Sequence, residues 1–263
     1  MMRAHHEART ATALRVCDLS YAYPGGEFVL RDISCSIAAG ESVVLVGLSG
    51  CGKTTLCHCL SGLAPKALGG TLRGAVFLAG EDIAPLPLSR LASRIGFVFQ
   101  DPDNQMVTTT VEDEIAFAPE NLAMSPAEIR VRVSRELERF GIAHLAPRAP
   151  NSLSGGEKRL VAMAAVLALD PSVLILDEPF THLDERGRVR VREAIADMQR
   201  EGRTLIVVEH DLSLTDFAHR YLLLAKGRLA SDTTMPPPAF LDPEPDAAGN
   251  TRVAQCSPAR TLL

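Results

Sequence analysis

Short apolar runs punctuate this chain at intervals. Residues 43–48 and 221–225 are the longest, and the stretches Ser42–Val46, 95–99, 173–176 and Thr204–Val208 share the β-branched, leucine-rich character of strands buried on both faces. Helical patterns separate them from residue 14 to about residue 230, which predicts an α/β core containing parallel strands. An earlier stretch, 15–37, carries the turn Tyr23-Pro24-Gly25-Gly26 and reads as antiparallel strands, as does 74–80. Both are assigned to a small β layer. Between residues 101 and 169 the β pattern disappears. There Ser125 as cap, Pro126 at the first position and Glu128 closing a capping box start a helix that is expected to end at Gly141. Ile129, Val133, Leu137 and Phe140 form its one apolar stripe. No internal repeat is present.

The expected organisation is one domain over 14–230, with core and β layer in 14–100 and 170–230 and an inserted α-helical subdomain over 101–169. Residues 1–13 and 231–263 are expected to be flexible tails, the second because Pro236, Pro237, Pro238, Pro243, Pro245 and Pro258 replace periodicity.

With 263 residues, 46% of them hydrophobic, the chain can bury a substantial core. No apolar run approaches the roughly 18 residues needed to cross a bilayer, so any membrane role must come through partners. The polar N-terminus has no apolar h-region, which favours the cytosol. A net charge of −5 argues against nucleic acid as the main partner, because phosphate backbones call for basic stripes. Cys17, Cys35, Cys51, Cys57, Cys59 and Cys256 lack the paired spacings of a zinc site or a disulfide framework.

Three motifs carry chemistry. Gly47-Leu48-Ser49-Gly50-Cys51-Gly52-Lys53-Thr54 follows one predicted strand and opens a helix predicted over 54–63, the context of a P-loop. Its glycines let backbone N–H groups turn toward phosphate oxygens, Lys53 offers a point charge to the β and γ phosphates, and the Thr54 hydroxyl can ligate Mg2+. The run 173–176 ends in Asp177-Glu178, two carboxylates at the exit of a buried strand. Beside a P-loop, Asp177 would hold Mg2+ and Glu178 would orient or deprotonate the attacking water. Leu153-Ser154-Gly155-Gly156-Glu157 is a capping box by spacing, and its two glycines leave N–H groups bare enough to receive a phosphate as well. Cys51, near a helix N-terminus, invites the further expectation of a reactive thiol of lowered pKa.

Together and in this order, these motifs resemble an ATP-binding cassette (ABC) ATPase, a P-loop NTPase with a RecA-like core, an antiparallel β layer and an inserted α-helical subdomain. The resemblance covers about 14–230. It implies ATP hydrolysis with Mg2+, and a nucleotide cradle of Gly47, Ser49, Gly50, Cys51, Gly52, Lys53, Thr54 and Thr55. Gln100 matches the Q-loop glutamine, which contacts Mg2+ or the attacking water and links the site to a membrane partner. His210 matches the switch histidine that contacts the γ-phosphate, Asp184 the D-loop, and Tyr23 the aromatic that stacks on adenine. The family packs two chains head to tail, so Ser154, Gly155 and Gly156 would face the ATP of a second ABC ATPase subunit in a homodimer or heterodimer.

The stretch Val98-Phe99-Gln100-Asp101-Pro102-Asp103-Asn104-Gln105, with Thr110-Val111-Glu112-Asp113-Glu114-Ile115-Ala116-Phe117 and Pro119-Glu120-Asn121-Leu122, resembles more particularly the ATPases of energy-coupling factor (ECF) importers of vitamins and transition metals. That resemblance implies a shared transmembrane T-component, a separate S-component, and attachment to the cytoplasmic face of the cell membrane. Gln105 and residues 112–122 would lie near the groove for the T-component's coupling helices. A conventional ABC transporter ATPase, and a soluble ABC protein acting on nucleic acid, are the alternatives. The chain departs from the family at Glu157, where Gln is common, at Leu160, where Arg is common and Arg159 stands one place earlier, and at His182 in the D-loop. These departures leave in doubt how the helix after the signature is tethered.

Overall fold

The computed structural model describes residues 11–237. Along the chain run β1 (Thr12–Ala22), β2 (Phe28–Ala38), β3 (Ser42–Val46), α1 (Lys53–Ser61), α2 (Leu63–Lys66), β4 (Thr71–Leu78), β5 (Glu81–Asp82), α3 (Leu88–Ala92) and β6 (Ile95–Val98). There follow α4 (Val111–Asn121), α5 (Pro126–Arg139), α6 (Gly155–Leu167), β7 (Val173–Asp177), α7 (Glu185–Arg200), β8 (Thr204–Val208), β9 (Arg220–Ala225) and β10 (Arg228–Thr233).

Two sheets result. One is antiparallel, in the order β2-β1-β4-β5, and the other runs β10-β9-β3-β8-β7-β6. In the second, neighbours from β9 to β6 are parallel and only β10 is antiparallel. Successive residues of β3 explain why its sequence is apolar after Ser42. Val43 and Leu45 pack with Leu14, Ile33 and Leu56 beneath the antiparallel layer, whereas Val44 and Val46 pack with Met163, Ile195 and Met198 on the opposite face. A strand covered on both sides cannot alternate with polar residues, and each fully buried aliphatic contributes about 1.5–3 kcal/mol.

The strands at Ser42–Val46 and Thr204–Val208 stand where the sequence predicts them. β6 stops at Val98, while β7 runs one residue further, to Asp177. The helix expected over 54–63 is shorter, because Gly62 takes the left-handed conformation (φ 78°) and ends α1 at Ser61. Likewise α5 ends at Arg139, with Gly141 at φ 61°, and its capping box is formed. No strand occurs between residues 101 and 169, where α4, α5 and α6 pack on one another, α6 also touching β6. β10 extends through Thr233, three residues into the stretch expected to be tail. The expectations for residues 1–10, for 238–263 and for Cys256 lie outside the described residues.

Candidate functional site

The ends of β3, β7, β8 and β6 converge at one edge of the parallel sheet, as open α/β sheets place their ligand crevices. Between β3 and α1 the chain turns through Gly47 at φ 153°. A Cβ there would stand 2.3 Å from the Leu224 carbonyl oxygen and 2.6 Å from Cys51 Sγ, so only glycine fits. Gly52 (φ 106°) starts α1 without any side-chain cap, which leaves the first N–H groups of that helix bare. Lys53 folds back over the loop, donating from Nζ to the carbonyl oxygens of Gly47 (2.8 Å) and Leu48 (3.1 Å). The buried ammonium thus lies across the cradle, held by neutral acceptors that an anionic oxygen would outcompete.

Thr54 donates its hydroxyl to Asp177 Oδ2 at 2.8 Å. Burial pushes the Asp177 carboxyl above its ordinary range, and this hydrogen bond only partly opposes the shift. A buried carboxylate with one hydroxyl partner, at the mouth of a phosphate cradle, is an oxygen donor set suited to a hard divalent cation. Among the described residues no group of three or more His, Cys, Asp or Glu is arranged to hold a metal ion. A small ion that keeps several waters and takes phosphate oxygens needs no such group.

Glu178 leaves the strand at φ 52°, a left-handed conformation that is uncommon for a non-glycine residue and turns its side chain away from the sheet. The carboxylate is bracketed on both sides. Gln100 Nε2 donates to Oε2 at 2.9 Å, and His210 Nε2 lies 2.9 Å from Oε1. Thr181 adds its hydroxyl at 3.3 Å. A carboxylate held this way can orient and deprotonate a water.

Tyr23 is partly exposed beside the P-loop, its hydroxyl 3.1 Å from Thr55 Oγ1, and it meets Tyr21 edge to face. Ser49 and Gly50 lie in the exposed part of the loop. Cys51 is buried, and burial raises its thiol pKa despite the opposing charge of Lys53. That runs against a low-pKa reactive cysteine, because desolvation outweighs the nearby cation and helix start.

The structure leaves two sequence-predicted elements apart from this set. Ser154 caps α6 with Glu157 in a formed capping box, and a Cβ on Gly155 would meet nothing within 4 Å. Asp184 caps α7 by accepting from Gly187 N at 2.7 Å. Gly156 lies against His182 and Leu183, so the helix start and the D-loop adjoin. Neither Ser154 nor Asp184 bonds to the P-loop within the described residues.

Two acidic side chains stand outside the expected set. Glu209, 5% exposed, accepts from the N–H groups of His210 (2.8 Å) and Asp211 (3.2 Å) and so shapes the His210 turn. Its signal in the sequence was an acidic residue closing a buried apolar run, as at Asp177. Buried Glu114 accepts from Val107 N, Thr108 N and the Thr108 hydroxyl, each at 2.9 Å, and fixes the loop before α4. Gln105 satisfies the free edge of β6, accepting from Phe99 N (2.9 Å) and donating to Phe97 O (3.2 Å). Beside it a mainly apolar cleft of about 250 Å³ is lined by Phe97, Phe99, Gln105, Met106, Phe117 and Leu169.

The ABC transporter family model matches residues 30–181. A putative ABC transporter ATP-binding protein of Geobacter sulfurreducens is 42% identical over 83% of this chain and 85% of its own length. The energy-coupling factor transporter ATP-binding protein EcfA of Methanothermobacter thermautotrophicus is 38% identical over 86% and 72% respectively. Among solved structures, cbiO1 of Clostridium perfringens, part of the ABC transporter complex cbiONQ, superposes with a TM-score of 0.72 at 33% identity, over 85% of this chain and 89% of that one. A dimeric ATP-binding cassette in a post-hydrolysis state, bound to ADP and Pi, superposes with a TM-score of 0.75 at 27% identity, over 85% and 99%.

Proposed function

This chain belongs to the ABC transporter family and is an ATPase, and from that premise we propose that it powers an ECF-type importer of a vitamin or transition-metal ion. The observation that carries the catalytic part is the Glu178 carboxylate bracketed by Gln100 and His210 at 2.9 Å each, next to the Thr54–Asp177 pair. ATP enters the cradle formed by Gly47, Ser49, Gly50, Cys51, Gly52, Lys53, Thr54 and Thr55, with adenine against Tyr23. Lys53 then exchanges two neutral carbonyl partners for charged phosphate oxygens, a stronger pairing in a partly buried site. Thr54, Asp177 and Gln100 would hold Mg2+, which supplies neutralisation of charge on the phosphates when bound. Glu178 orients the attacking water and takes its proton, while His210 donates toward the γ-phosphate.

A second subunit of the same kind completes the site with its Ser154, Gly155 and Gly156. Among the described residues Ser154 and Asp184 bond within their own helix starts and not to the P-loop, and a solved relative is dimeric. The ECF assignment draws support from the similarity to EcfA and cbiO1, and from the apolar cleft beside Gln105. This cleft suits the coupling helices of a T-component, with an S-component supplying recognition of the cargo. Among the described residues no helix is long and apolar enough to cross a membrane. The chain would therefore sit peripherally on the cytoplasmic face.

Glu178→Gln should keep ATP binding and reduce turnover by about a thousandfold, in the range expected when a catalytic base is lost. Near-normal hydrolysis by that variant rejects the assignment of Glu178. Purification of the tagged chain from solubilised membranes of its own cell tests the transporter type. T- and S-components should accompany it, whereas a conventional permease pair would replace the ECF reading.

A further inference from the structure

Arg159 is 1% exposed and among the largest fully buried side chains of the molecule. Among the described residues its terminal nitrogens are met by backbone carbonyl oxygens. Nη1 donates to Phe99 O (3.2 Å) and Asp177 O (3.4 Å), and Nη2 donates to Gln100 O (2.5 Å). These carbonyls lie where two strands part. β6 and β7 are paired in register up to Val98 and Leu176, and beyond that pair Asp177 continues only against Val208 of β8. The guanidinium fills the fork, taking over where the ladder stops. Its planar array of donors can reach both strand ends at once, which the single point charge of a lysine cannot.

Arg159 belongs to α6, whose first turn holds Ser154, Gly155 and Gly156. Its neighbour Lys158 forms an ion pair with Asp103 at 2.5 Å, a second tie between the same helix and the loop after β6. One helix is therefore fastened at consecutive residues to the segment carrying Gln100, and through Arg159 to the backbone of Asp177. Burial disfavours the charged form of Arg159 and holds it below the ordinary arginine range, a shift that Glu178, Asp177, Asp101 and Glu209 oppose through space without cancelling.

We infer that Arg159 is a positioning residue that makes the Ser154–Gly156 helix start move as one body with Gln100 and Asp177, so that the two ATP sites of a dimer report their occupancy to each other. The inference rests on the dimeric reading above. Closure of one chain's helix start on its partner's nucleotide then pulls on that chain's own Gln100 and Asp177.

The full-length chain tests this through three readouts: affinity for a fluorescent ATP analogue, kcat, and the Hill coefficient of ATP hydrolysis. Arg159→Met should lower kcat about tenfold or more, because displacement of catalytic groups by an ångström costs on this order, and should bring the Hill coefficient close to 1. Binding of the analogue should change less than about threefold, since the cradle is untouched. Arg159→Lys should recover only part of kcat, and the exposed change Asp103→Lys, which spares the core, should reduce the Hill coefficient alone. Retention of wild-type kcat and Hill coefficient in Arg159→Met, or equal loss of binding and turnover, overturns the inference. Absence of both cooperativity and nucleotide-dependent dimerisation in the wild type overturns it together with the dimeric reading. A cooperative wild type with an unaffected Arg159→Met overturns the inference alone.

Discussion

The starts of α5 and α6 are nearly the same object built twice. Ser125 and Ser154 sit at φ −67°, ψ 145° and φ −65°, ψ 160°, and each accepts from the N–H of a glutamate three residues on at 3.3 Å. Each glutamate returns to the serine N–H, Glu128 at 3.4 Å and Glu157 at 2.8 Å. What differs is the first helical turn. In α5 Pro126 removes one N–H and covers the end, whereas in α6 Gly155 and Gly156 leave it bare. The two also differ in what lies behind them. α6 is tied through Lys158 and Arg159 to Asp103, Gln100 and Asp177, while α5 is fastened by Arg139 to Glu201, far from the nucleotide site. Equal capping chemistry thus yields a structural helix end in one place and a candidate phosphate receptor in the other.

The comparison is broken most severely by charge. Ser154→Arg should lower ATPase activity about a hundredfold by obstructing the partner's nucleotide, while Ser125→Arg should change it less than about twofold. Equal effects of the two substitutions on steady-state hydrolysis would remove the distinction between the ends.

A gentler exchange gives α6 the first turn of α5. Ser154 already has the extended backbone that precedes a proline, and Gly155 has open space around its Cβ position. Gly155→Pro should therefore fold with an unfolding midpoint close to that of the wild type, yet lose about tenfold in ATPase activity through the missing N–H and the covered helix end. Full activity in that variant would mean that the bare N–H groups of α6 receive nothing.

The smallest effects concern capping itself. Ser125→Ala and Ser154→Ala should each cost about 1 kcal/mol in denaturant unfolding, with only the second also slowing hydrolysis. The Ser154 N–H and hydroxyl hold the Glu157 carboxyl below its usual range. A depressed carboxyl contributes stability above its unfolded value, near pH 4.3, and loses it as pH falls through the folded value. Unfolding midpoints of the wild type and Glu157→Gln should accordingly differ at pH 7 and converge as pH falls through the depressed folded value of Glu157, and parallel curves throughout would remove Glu157 from that role.

Much of this was written in local sequence. The apolar runs opened by Ser42 and Thr204 predicted their strands to the residue, and the equally buried runs at 95–99 and 173–176 missed by one residue at their ends. The glycines of the P-loop, the two capping boxes and Pro126 act through nearest-neighbour geometry, so their signals survive without a fold. Helix ends were less legible, since the Ser61 stop depends on Gly62 turning left-handed under Leu91. The chemistry of Cys51 was left open by the sequence, because burial raises its thiol pKa against the pull of Lys53 and burial is not a local property.

The sequence alone therefore located the buried strands and the helix after Ser125 and marked a candidate phosphate cradle and pair of carboxylates, all of which follow from short-range sterics and periodicity. Only the tertiary structure brought Gln100 and His210 within hydrogen-bonding reach of Glu178, although the three come from strand ends separated by up to 110 positions in the sequence. It alone set Arg159 in the fork between β6 and β7. Neither result could be read from spacing, because the cost of burying a charge or a carboxylate depends on what the rest of the fold places around it.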